Sequence, residues 1–162
     1  MPDHAGHIRA ATGGDAGTLS DLAFRSKAHW GYDDAFMEAC RAELTYAPEQ
    51  LDAGGFWVLE EDGGIRGFYG LVKVSPDTLE LDALFVEPEA IGRGGGRALM
   101  AHALEQFRAS GLARLIIQAD PNAADFYESA GARLIGERPS DSIEGRMLPL
   151  YEIDNPDEVS HG

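Results

Sequence analysis

Apolar residues along the chain switch between the spacing of helices and that of strands, and most switches fall at Gly or Pro. Residues 8–11 predict a short strand, and after a Gly-Gly break Asp15 is predicted to cap a helix that runs to about residue 28. A second helix is predicted after Asp33 or Asp34, because apolar residues recur three and four positions apart, and its end is predicted at Pro48. The first part of the chain therefore predicts one strand and two helices.

The middle of the chain predicts three strands. Residues 56–60 and 65–74 are predicted to be joined by a turn whose Asp-Gly step suits a tight hairpin. Residues 79–86 alternate as a third strand, with apolar residues on one face and Glu80 and Asp82 on the other. Two carboxylates therefore share one side of a predicted strand.

The last part of the chain begins with a glycine-rich turn over residues 92–97, followed by a helix with one apolar stripe that ends at Gly111. The remaining elements are predicted as a strand, a helix and an antiparallel strand pair, at residues 112–119, about 123–129, 132–137 and 147–153. Pro149 in the last strand indicates a bulge or a local break in pairing.

Length and composition limit the organisation to one ordinary domain. The chain has 162 residues, of which 44% are hydrophobic, enough for a sizeable core without disulfides or structural metal. We expect a single domain over residues 1–162, with short polar tails at about 1–6 and 155–162. The one cysteine, Cys40, cannot form an internal disulfide, which favours a reducing compartment and predicts a cytoplasmic location.

The charge of the chain argues against partners that attract basic proteins. The 28 acidic residues against 13 Lys and Arg give a formal net charge of −15, which opposes binding to nucleic acid or anionic membranes. No run approaches the roughly 18 apolar residues of a membrane span, and the N-terminus lacks the features of a signal peptide. His4, His7 and His161 have no metal-ligand spacing, so no metal is expected.

The glycine-rich turn is the most informative motif. Successive backbone N–H groups in such a turn can converge on an anion, and the following helix adds its dipole, so a diphosphate is the expected ligand. A flexible or tightly packed turn is the alternative. A P-loop is excluded, because Arg97 and Ala98 stand where it needs Lys and then Ser or Thr.

A dinucleotide-binding or S-adenosylmethionine-binding fold stays open as a lesser alternative. Gly92, Gly94 and Gly96 follow a predicted strand, and Asp120 ends the next strand near the spacing of a ribose-binding carboxylate. Such folds place the turn after their first strand, whereas two helices and a hairpin come first here. Few residues also remain to complete a doubly wound sheet.

The order of elements and two motifs resemble the GNAT family of acyl-CoA-dependent N-acetyltransferases. The first motif is Leu84-Phe85-Val86-Glu87-Pro88 followed by Gly92-Arg93-Gly94-Gly95-Gly96-Arg97, and the second is Asn122-Ala123-Ala124-Asp125-Phe126-Tyr127 with a Gly-containing turn after it. The resemblance implies an α/β (α+β) fold with a mixed, mostly antiparallel central sheet of about six to seven strands, flanked by about four helices. In one departure, Ile91 stands where the family usually has Gln or Arg.

The resemblance also implies acetyl-CoA as co-substrate, with its diphosphate on the turn and its pantetheine arm along the preceding strand. Arg93 and Arg97 could add charge to the backbone amides or simply be solvated, and Asn122 would contact the arm or cap the next helix. The implied cofactor contacts are Leu84, Phe85, Val86, Gly92, Arg93, Gly94, Gly95, Gly96, Arg97 and Asn122.

The implied chemistry is direct attack of an uncharged amine on a thioester, which needs a proton acceptor and a donor for the leaving thiolate. Asp82 and Glu80 are the candidate acceptors, with salt bridges or a solvent-facing surface as their alternative role. Tyr127 matches the family's tyrosine that donates to the thiolate, and a core aromatic is its alternative role. A covalent route through Cys40 is not expected, because that residue lies on an apolar helix stripe.

The sequence says less about the amine that accepts the acetyl group. In this fold the first two helices and the last hairpin loop usually line the acceptor cleft, so Trp30, Tyr32 and Asp33, and residues 140–146 opposite them, are candidates. The aromatic residues could stack on a cationic amine that Asp33 pairs, or they could anchor the core while Asp33 caps a helix.

The sequence thus predicts an N-acetyltransferase that transfers an acetyl group from acetyl-CoA to an amine of a small molecule, amino acid or protein. A catalytically silent CoA-binding or regulatory module of the same fold is the main alternative. Nucleic acid and membranes are not expected as partners, and a homodimer is left open.

Overall fold

The computed structural model describes residues 6–156, and this part of the chain contains seven strands and five α-helices. The strands are β1 (His7–Ala10), β2 (Phe56–Glu61), β3 (Gly64–Ser75), β4 (Thr78–Val86), β5 (Arg114–Gln118), β6 (Arg133–Pro139) and β7 (Met147–Asp154). The helices are α1 (Ala16–Ala28), α2 (Asp34–Cys40), α3 (Pro48–Asp52), α4 (Gly95–Ser110) and α5 (Ala124–Ser129). None of these helices is long and apolar enough to cross a membrane.

All seven strands lie in one sheet with the order β1-β2-β3-β4-β5-β7-β6. β4 and β5 are parallel, whereas β1–β2, β2–β3, β5–β7 and β6–β7 are antiparallel pairs. This confirms the predicted mixed, mostly antiparallel sheet, with five helices in the described residues instead of about four. The dinucleotide-binding or S-adenosylmethionine-binding alternative is wrong, because a doubly wound fold requires a mostly parallel sheet.

The described chain divides into two compact units. The first contains the residues up to Gly70 together with Ala83–Leu99, and the second contains Leu71–Asp82 together with the residues from Met100 onward. β3, β4 and α4 contribute to both units. The single domain over residues 1–162 stays a prediction.

In the first unit, a predicted hairpin turn and a predicted helix cap are present in the structure. Asp62 and Gly63, the two residues between β2 and β3, have φ values of 52° and 79°, as a tight hairpin turn requires. At the start of α2, the Asp33 carboxylate accepts a hydrogen bond from the N–H of Phe36 at 2.8 Å. The hairpin is therefore confirmed, and Asp33 is the cap of α2.

One predicted capping bond and one predicted helix boundary differ from the structure, although α1 follows Asp15 and ends at Ala28 as predicted. Asp15 precedes α1, but its carboxylate accepts from the N–H of Thr12 at 2.8 Å and pairs with Arg9 at 2.9 Å instead of capping the helix. Pro48 begins α3 instead of ending a long second helix, because the fixed φ of proline also suits the first position of a helix. The second predicted helix is therefore two shorter ones, α2 and α3.

The core of the first unit is rich in aromatic contacts. The rings of Tyr46 and Phe56 are 5.7 Å apart, and those of Tyr46 and Phe68 are 5.4 Å apart, both edge to face. A Cβ at Gly70 would lie 2.3 Å from the Phe56 ring, so the ring fills the place that a side chain would need. Glycine at this position lets β2 and β3 pack around the aromatic cluster.

In the second unit, Asn155 was predicted to lie in a polar tail, but it is buried. The residue is 5% exposed, and its Nδ2 donates to the carbonyl of Leu112 at 2.8 Å and to that of Phe107 at 3.3 Å. The amide thereby donates to carbonyls around the C-terminal end of α4, where the last backbone carbonyls lack an N–H partner in a following turn. Apart from Gly6, Asn155 and Pro156, the predicted tails lie outside the described residues.

The bulge predicted at Pro149 is wrong in its position, because the irregularity of the β6–β7 pair lies on β6. Pro149 faces Glu137, and the register shifts between Leu134 and Gly136 on β6. Pro149 itself follows the regular pairing and gives its carbonyl to the N–H of Ala119 at 2.9 Å.

Candidate active site

The glycine-rich segment forms the start of α4 in the first unit. Gly92 and Gly94 have φ values of 85° and 89°, which favour glycine. α4 begins at Gly95, so the second half of the predicted turn is the first turn of the helix. The first helical bond runs from the N–H of Ala98 to the carbonyl of Gly94 at 3.0 Å, so the amides of residues 95–97 have no carbonyl partner inside the helix.

Two exposed arginines, Arg93 and Arg97, flank these amides. Their charges add to the positive end of the α4 dipole and create a local positive field on an acidic chain. The segment can therefore bind an anion with several charges, such as a diphosphate.

Small residues are also needed at the helix start for packing. A Cβ at Gly95 would lie 3.3 Å from Cδ2 of Leu59 and 3.8 Å from Cγ1 of Val86. A larger residue would push the beginning of α4 away from β2 and β4. Glycine at this position thus holds the anion-binding amides close to the sheet.

Ile91 is 37% exposed, and its N–H donates to the carbonyl of Pro88 at 3.3 Å in the short helical turn Pro88–Ala90. The amide at the family's Gln or Arg position is therefore already used within the chain. The anion-binding capacity of the segment rests on residues 92–97.

The end of β4 leads into this segment. Leu84 and Phe85 are half-buried, Val86 is buried, and the ring of Phe85 lies 5.7 Å from that of Phe68. In the described chain, the ladder between β4 and β5 covers only Thr78, Leu79 and Glu80. Backbone groups that would continue this ladder along β4 can accordingly pair with an extended ligand.

Glu87, which sequence analysis did not assign, anchors the loop after β4. Its N–H donates to the carbonyl of Arg66 at 2.8 Å, and its carboxylate pairs with Arg25 of α1 at 2.6 and 3.2 Å. This two-point contact fixes the residue where the chain leaves the sheet toward Gly92. The partner is 62 positions away in sequence, so no local pattern could have indicated it.

Glu80 and Asp82 lie on one side of β4, as predicted, but their surroundings differ. Glu80 is half-buried and accepts two hydrogen bonds from the guanidinium of Arg138, at 2.6 and 3.4 Å. Asp82 is exposed. Arg138, which sequence analysis missed, also donates to Gln118 at 2.8 Å and thus connects β4, β5 and β6. The salt-bridge alternative therefore describes Glu80.

Tyr127 of α5 is 7% exposed, and its ring meets that of Phe126 edge to face at 5.2 Å. Burial, and next the negative charge of Asp120, raise the pKa of Tyr127 well above its usual range. The hydroxyl therefore stays protonated at neutral pH and can donate a hydrogen bond.

Asn122 lies inside the short helical turn Pro121–Ala123, one turn before Tyr127. Its N–H and its Nδ2 both donate to Oδ1 of Asp120 at 2.9 Å. Asp120 caps this turn, so the alternative in which Asn122 caps the following helix is wrong. Asp120 thereby acts on two predicted site residues, Asn122 through hydrogen bonds and Tyr127 through its charge.

The predicted acceptor residues lie after α1. Trp30 is 44% exposed and meets His29 edge to face at 5.4 Å. Tyr32 stacks on Phe36 at 4.1 Å, and Nζ of Lys27 lies 5.4 Å from the Tyr32 ring. Trp30 offers the more open aromatic surface, whereas Tyr32 already contacts a cation of the chain.

The candidate residues fall into two sets, one in each compact unit. The first unit holds the anion-binding start of α4 and the exposed Trp30, and the second holds Asp82, Glu80 and the protonated Tyr127. Within residues 6–156, no group of three or more His, Cys, Asp or Glu side chains could hold a metal ion.

A sequence model described as the acetyltransferase (GNAT) family matches residues 22–132, more than half of the chain. The chain belongs to this family. Both GNAT motifs of the sequence, at residues 84–97 and 122–132, lie inside the matched range. The predicted family is thereby confirmed.

Two relatives of this GNAT chain are named peptidyl-lysine N-acetyltransferases. YjaB of Salmonella typhimurium is 33% identical over 76 residues, which are 47% of this chain and 50% of that protein. YiaC of Escherichia coli is 35% identical over 79 residues, 49% of this chain and 50% of that protein. The chain thus spans about half the length of the curated relatives it matches.

Solved structures share the GNAT fold. The PaiA N-acetyltransferase of Thermoplasma acidophilum, in complex with coenzyme A, superposes with a TM-score of 0.73 at 20% sequence identity. The likeness covers 93% of this chain and 99% of that chain. It establishes the fold of the GNAT chain over nearly its whole length.

Proposed function

We propose that this GNAT chain is an N-acetyltransferase that transfers an acetyl group from acetyl-CoA to the side-chain amine of a lysine in a protein or peptide. The observation that carries the proposal is the start of α4, where two left-handed glycines precede amides of residues 95–97 without a carbonyl partner inside the helix. The names of the two relatives support lysine as the acceptor.

The residues at the start of α4 fit acetyl-CoA. A Cβ at Gly92 would meet no atom within 4 Å, so the turn is open to a ligand, and the amides of residues 95–97 would hold the diphosphate with help from Arg93 and Arg97. The backbone of Leu84, Phe85 and Val86 would pair with the pantetheine arm, with Asn122 as a further contact. When bound, acetyl-CoA supplies the acetyl group as a thioester.

Asp82 is the proposed acceptor for the proton of the amine, directly or through a water molecule. Lysine has a reference pKa of about 10.4, so it is protonated at neutral pH and must lose a proton before it can attack. Glu80 is the less suitable acceptor, because Arg138 occupies both of its carboxylate oxygens. We propose that Glu80 instead positions the side chain of Arg138.

Tyr127 is the proposed hydrogen-bond donor to the sulfur of the leaving thiolate. A thiol has a reference pKa of about 8.5, below that of a phenol in this buried position, so complete proton transfer from Tyr127 would be uphill. Tyr127 therefore stabilises the thiolate by donating a hydrogen bond, and the proton that neutralises the thiolate comes from solvent.

Trp30 is the proposed contact for the aliphatic and cationic parts of the acceptor lysine. Tyr32 and Asp33 would shape the same wall through their contacts with Phe36, with residues 140–146 as a second wall. The formal net charge of −15 would attract cationic peptides over long range.

The proposal is tested by thiol release from acetyl-CoA with a panel of peptides that carry either a free or a blocked lysine side chain. We expect release and lysine acetylation only with the free amine. Calorimetry with CoA separates the alternatives: binding without release on any acceptor would favour the silent CoA-binding module. If the chain did not bind CoA at millimolar concentration, both the acetyltransferase and the silent CoA-binding module would be refuted.

A further inference from the structure

Asp120 contacts both the second GNAT motif and the loop of residues 140–146. All of these residues belong to the second unit. One carboxylate oxygen of Asp120, Oδ1, accepts hydrogen bonds from the N–H and from Nδ2 of Asn122, both at 2.9 Å. The other oxygen, Oδ2, lies 3.8 Å from Nη2 of Arg146, the last residue of the loop. The two oxygens thus contact two different parts of the candidate site.

The contact between Asp120 and Arg146 is largely shielded from solvent. Their side chains are 18% and 19% exposed, so the attraction between the charges is screened less than in an ion pair on the open surface. At 3.8 Å, Oδ2 and Nη2 are too far apart for a direct hydrogen bond. The contact between these two atoms therefore depends on charge, and a substitution that removes either charge should weaken it.

The loop of residues 140–146 is tied to the chain around the end of β5 on both sides. Its first and last residues are joined by a backbone hydrogen bond of 2.8 Å, which closes the loop at its base. On one side of the base, Nε2 of Gln118 donates to the carbonyl of Pro139 at 3.0 Å. On the other side, Arg146 contacts Asp120. The position of the loop therefore depends partly on Asp120.

We propose that Asp120 is a positioning residue for the acetyl transfer, an inference that rests on the proposed function. Through Oδ1 it orients the side chain of Asn122, the proposed contact of the pantetheine arm. Through Oδ2 it holds Arg146 and thereby the loop of residues 140–146, the proposed second wall of the acceptor site. One carboxylate thus places a group on the donor side of the reaction and a group on the acceptor side.

Asp120→Asn separates the two roles of the carboxylate. An amide oxygen can still accept from Asn122, and asparagine caps a helical turn as well as aspartate does, but an amide has no charge to attract Arg146. We therefore expect the KM for a lysine peptide to rise about three- to tenfold and the KM for acetyl-CoA to change less than about twofold. Asp120→Ala removes both contacts and should raise both KM values.

Variants of the two partners test each contact alone. Arg146→Gln should raise the peptide KM as Asp120→Asn does, and the two changes together should raise it no further, because either one already removes the ion pair. Arg146→Lys keeps the charge, so the peptide KM should stay within about threefold of that of the unmodified chain. Asn122→Ala should raise only the KM for acetyl-CoA, about three- to tenfold.

Arg133→Gln is the matched control. Arg133 also pairs with a carboxylate of the second unit, that of Asp154 at 2.9 Å, but it lies at the other end of β6 from the loop. Both KM values should therefore stay within about twofold of those of the unmodified chain. All KM values come from initial rates of thiol release, with acetyl-CoA and the lysine peptide varied in turn.

Two patterns would overturn the inference. Equal rises of both KM values in Asp120→Asn would indicate a general loss of structure. A peptide KM that rises in Arg146→Gln but not in Asp120→Asn would mean that Arg146 acts without Asp120. Active Asp120→Asn and Asp120→Ala variants with unchanged KM values would refute this inference alone, whereas no transfer by the unmodified chain would refute the proposed function and this inference together.

Discussion

Tyr127 combines a buried aromatic ring with a proposed role at the leaving group. Burial and the charge of Asp120 both act against the phenolate, so the raised pKa keeps the hydroxyl protonated below about pH 10. The same residue can then serve the core through its ring and the reaction through its hydroxyl.

Tyr127→Phe tests the hydroxyl alone. We expect kcat to fall about 10- to 100-fold, the usual worth of a hydrogen bond to a charged group, with the KM for acetyl-CoA changed less than about twofold. Tyr151→Phe is the control, because it removes another buried tyrosine hydroxyl, one that donates to Glu128 at 2.6 Å. Equal losses in the two variants would mean that the effect is structural.

The two carboxylates of β4 allow a second comparison. Asp82→Asn should lower kcat about 10²- to 10⁴-fold, the range for loss of a general base, and the loss should shrink as pH rises and more of the amine is already uncharged. Glu80→Gln should cost less than about tenfold and mainly reduce stability, because it weakens the pair with Arg138. The reverse order of kcat values would assign the base to Glu80.

At the scale of elements, the chain was predictable where a structure depends on neighbouring residues. The hairpin at Asp62-Gly63 and the helix after the glycine-rich turn follow from local backbone preferences. α3 was missed because proline at residue 48 is compatible with either the end or the beginning of a helix, and only tertiary packing decides.

The environment of the candidate site was less predictable than its residue types. The family motifs named the turn, Asn122 and Tyr127, but the contacts of Arg138 with Glu80 and of Arg25 with Glu87 join residues 58 and 62 positions apart. No spacing rule connects such residues, because their meeting depends on the order of strands in the sheet. The sequence therefore kept Glu80 beside Asp82 as a candidate base, because it could not show the contact with Arg138.

The two ends of α4 should contribute differently to CoA binding. Arg97→Ala should weaken CoA binding about tenfold in calorimetry, because it removes a charge beside the amides proposed to hold the diphosphate. Arg108→Ala, in the last turn of the same helix, should leave CoA affinity unchanged within about twofold. Equal weakening by both variants would indicate a long-range charge effect instead of a binding site.

For the molecule as a whole, alkaline pH should reduce stability through its buried tyrosines. The hydrogen bond to Glu128, and next burial, raise the pKa of Tyr151 to about 12. The native state therefore retains the phenol proton between about pH 10, where an unfolded tyrosine titrates, and about pH 12, so the free energy of unfolding should fall as pH rises through this window. Below about pH 10, the raised pKa of Tyr151 contributes fully to the free energy of unfolding.

Urea unfolding at several pH values from 9 to 12 would measure this dependence. Tyr151→Phe should make the decline less steep, because one proton fewer is released on unfolding. Tyr127, whose pKa is also raised, should sustain the remaining decline in that variant. An identical pH dependence in the variant and the unmodified chain would contradict the assignment to Tyr151.

Asn155 sets a limit on how far the protein can be shortened. A chain cut after Pro156 keeps the buried amide that ties the end of β7 to carbonyls around the end of α4, whereas a chain cut after Asp154 loses this amide and its hydrogen bonds. Purification tags and fusion partners at this end therefore belong beyond Pro156, and a crystallisation fragment designed from strand boundaries alone would remove one residue too many.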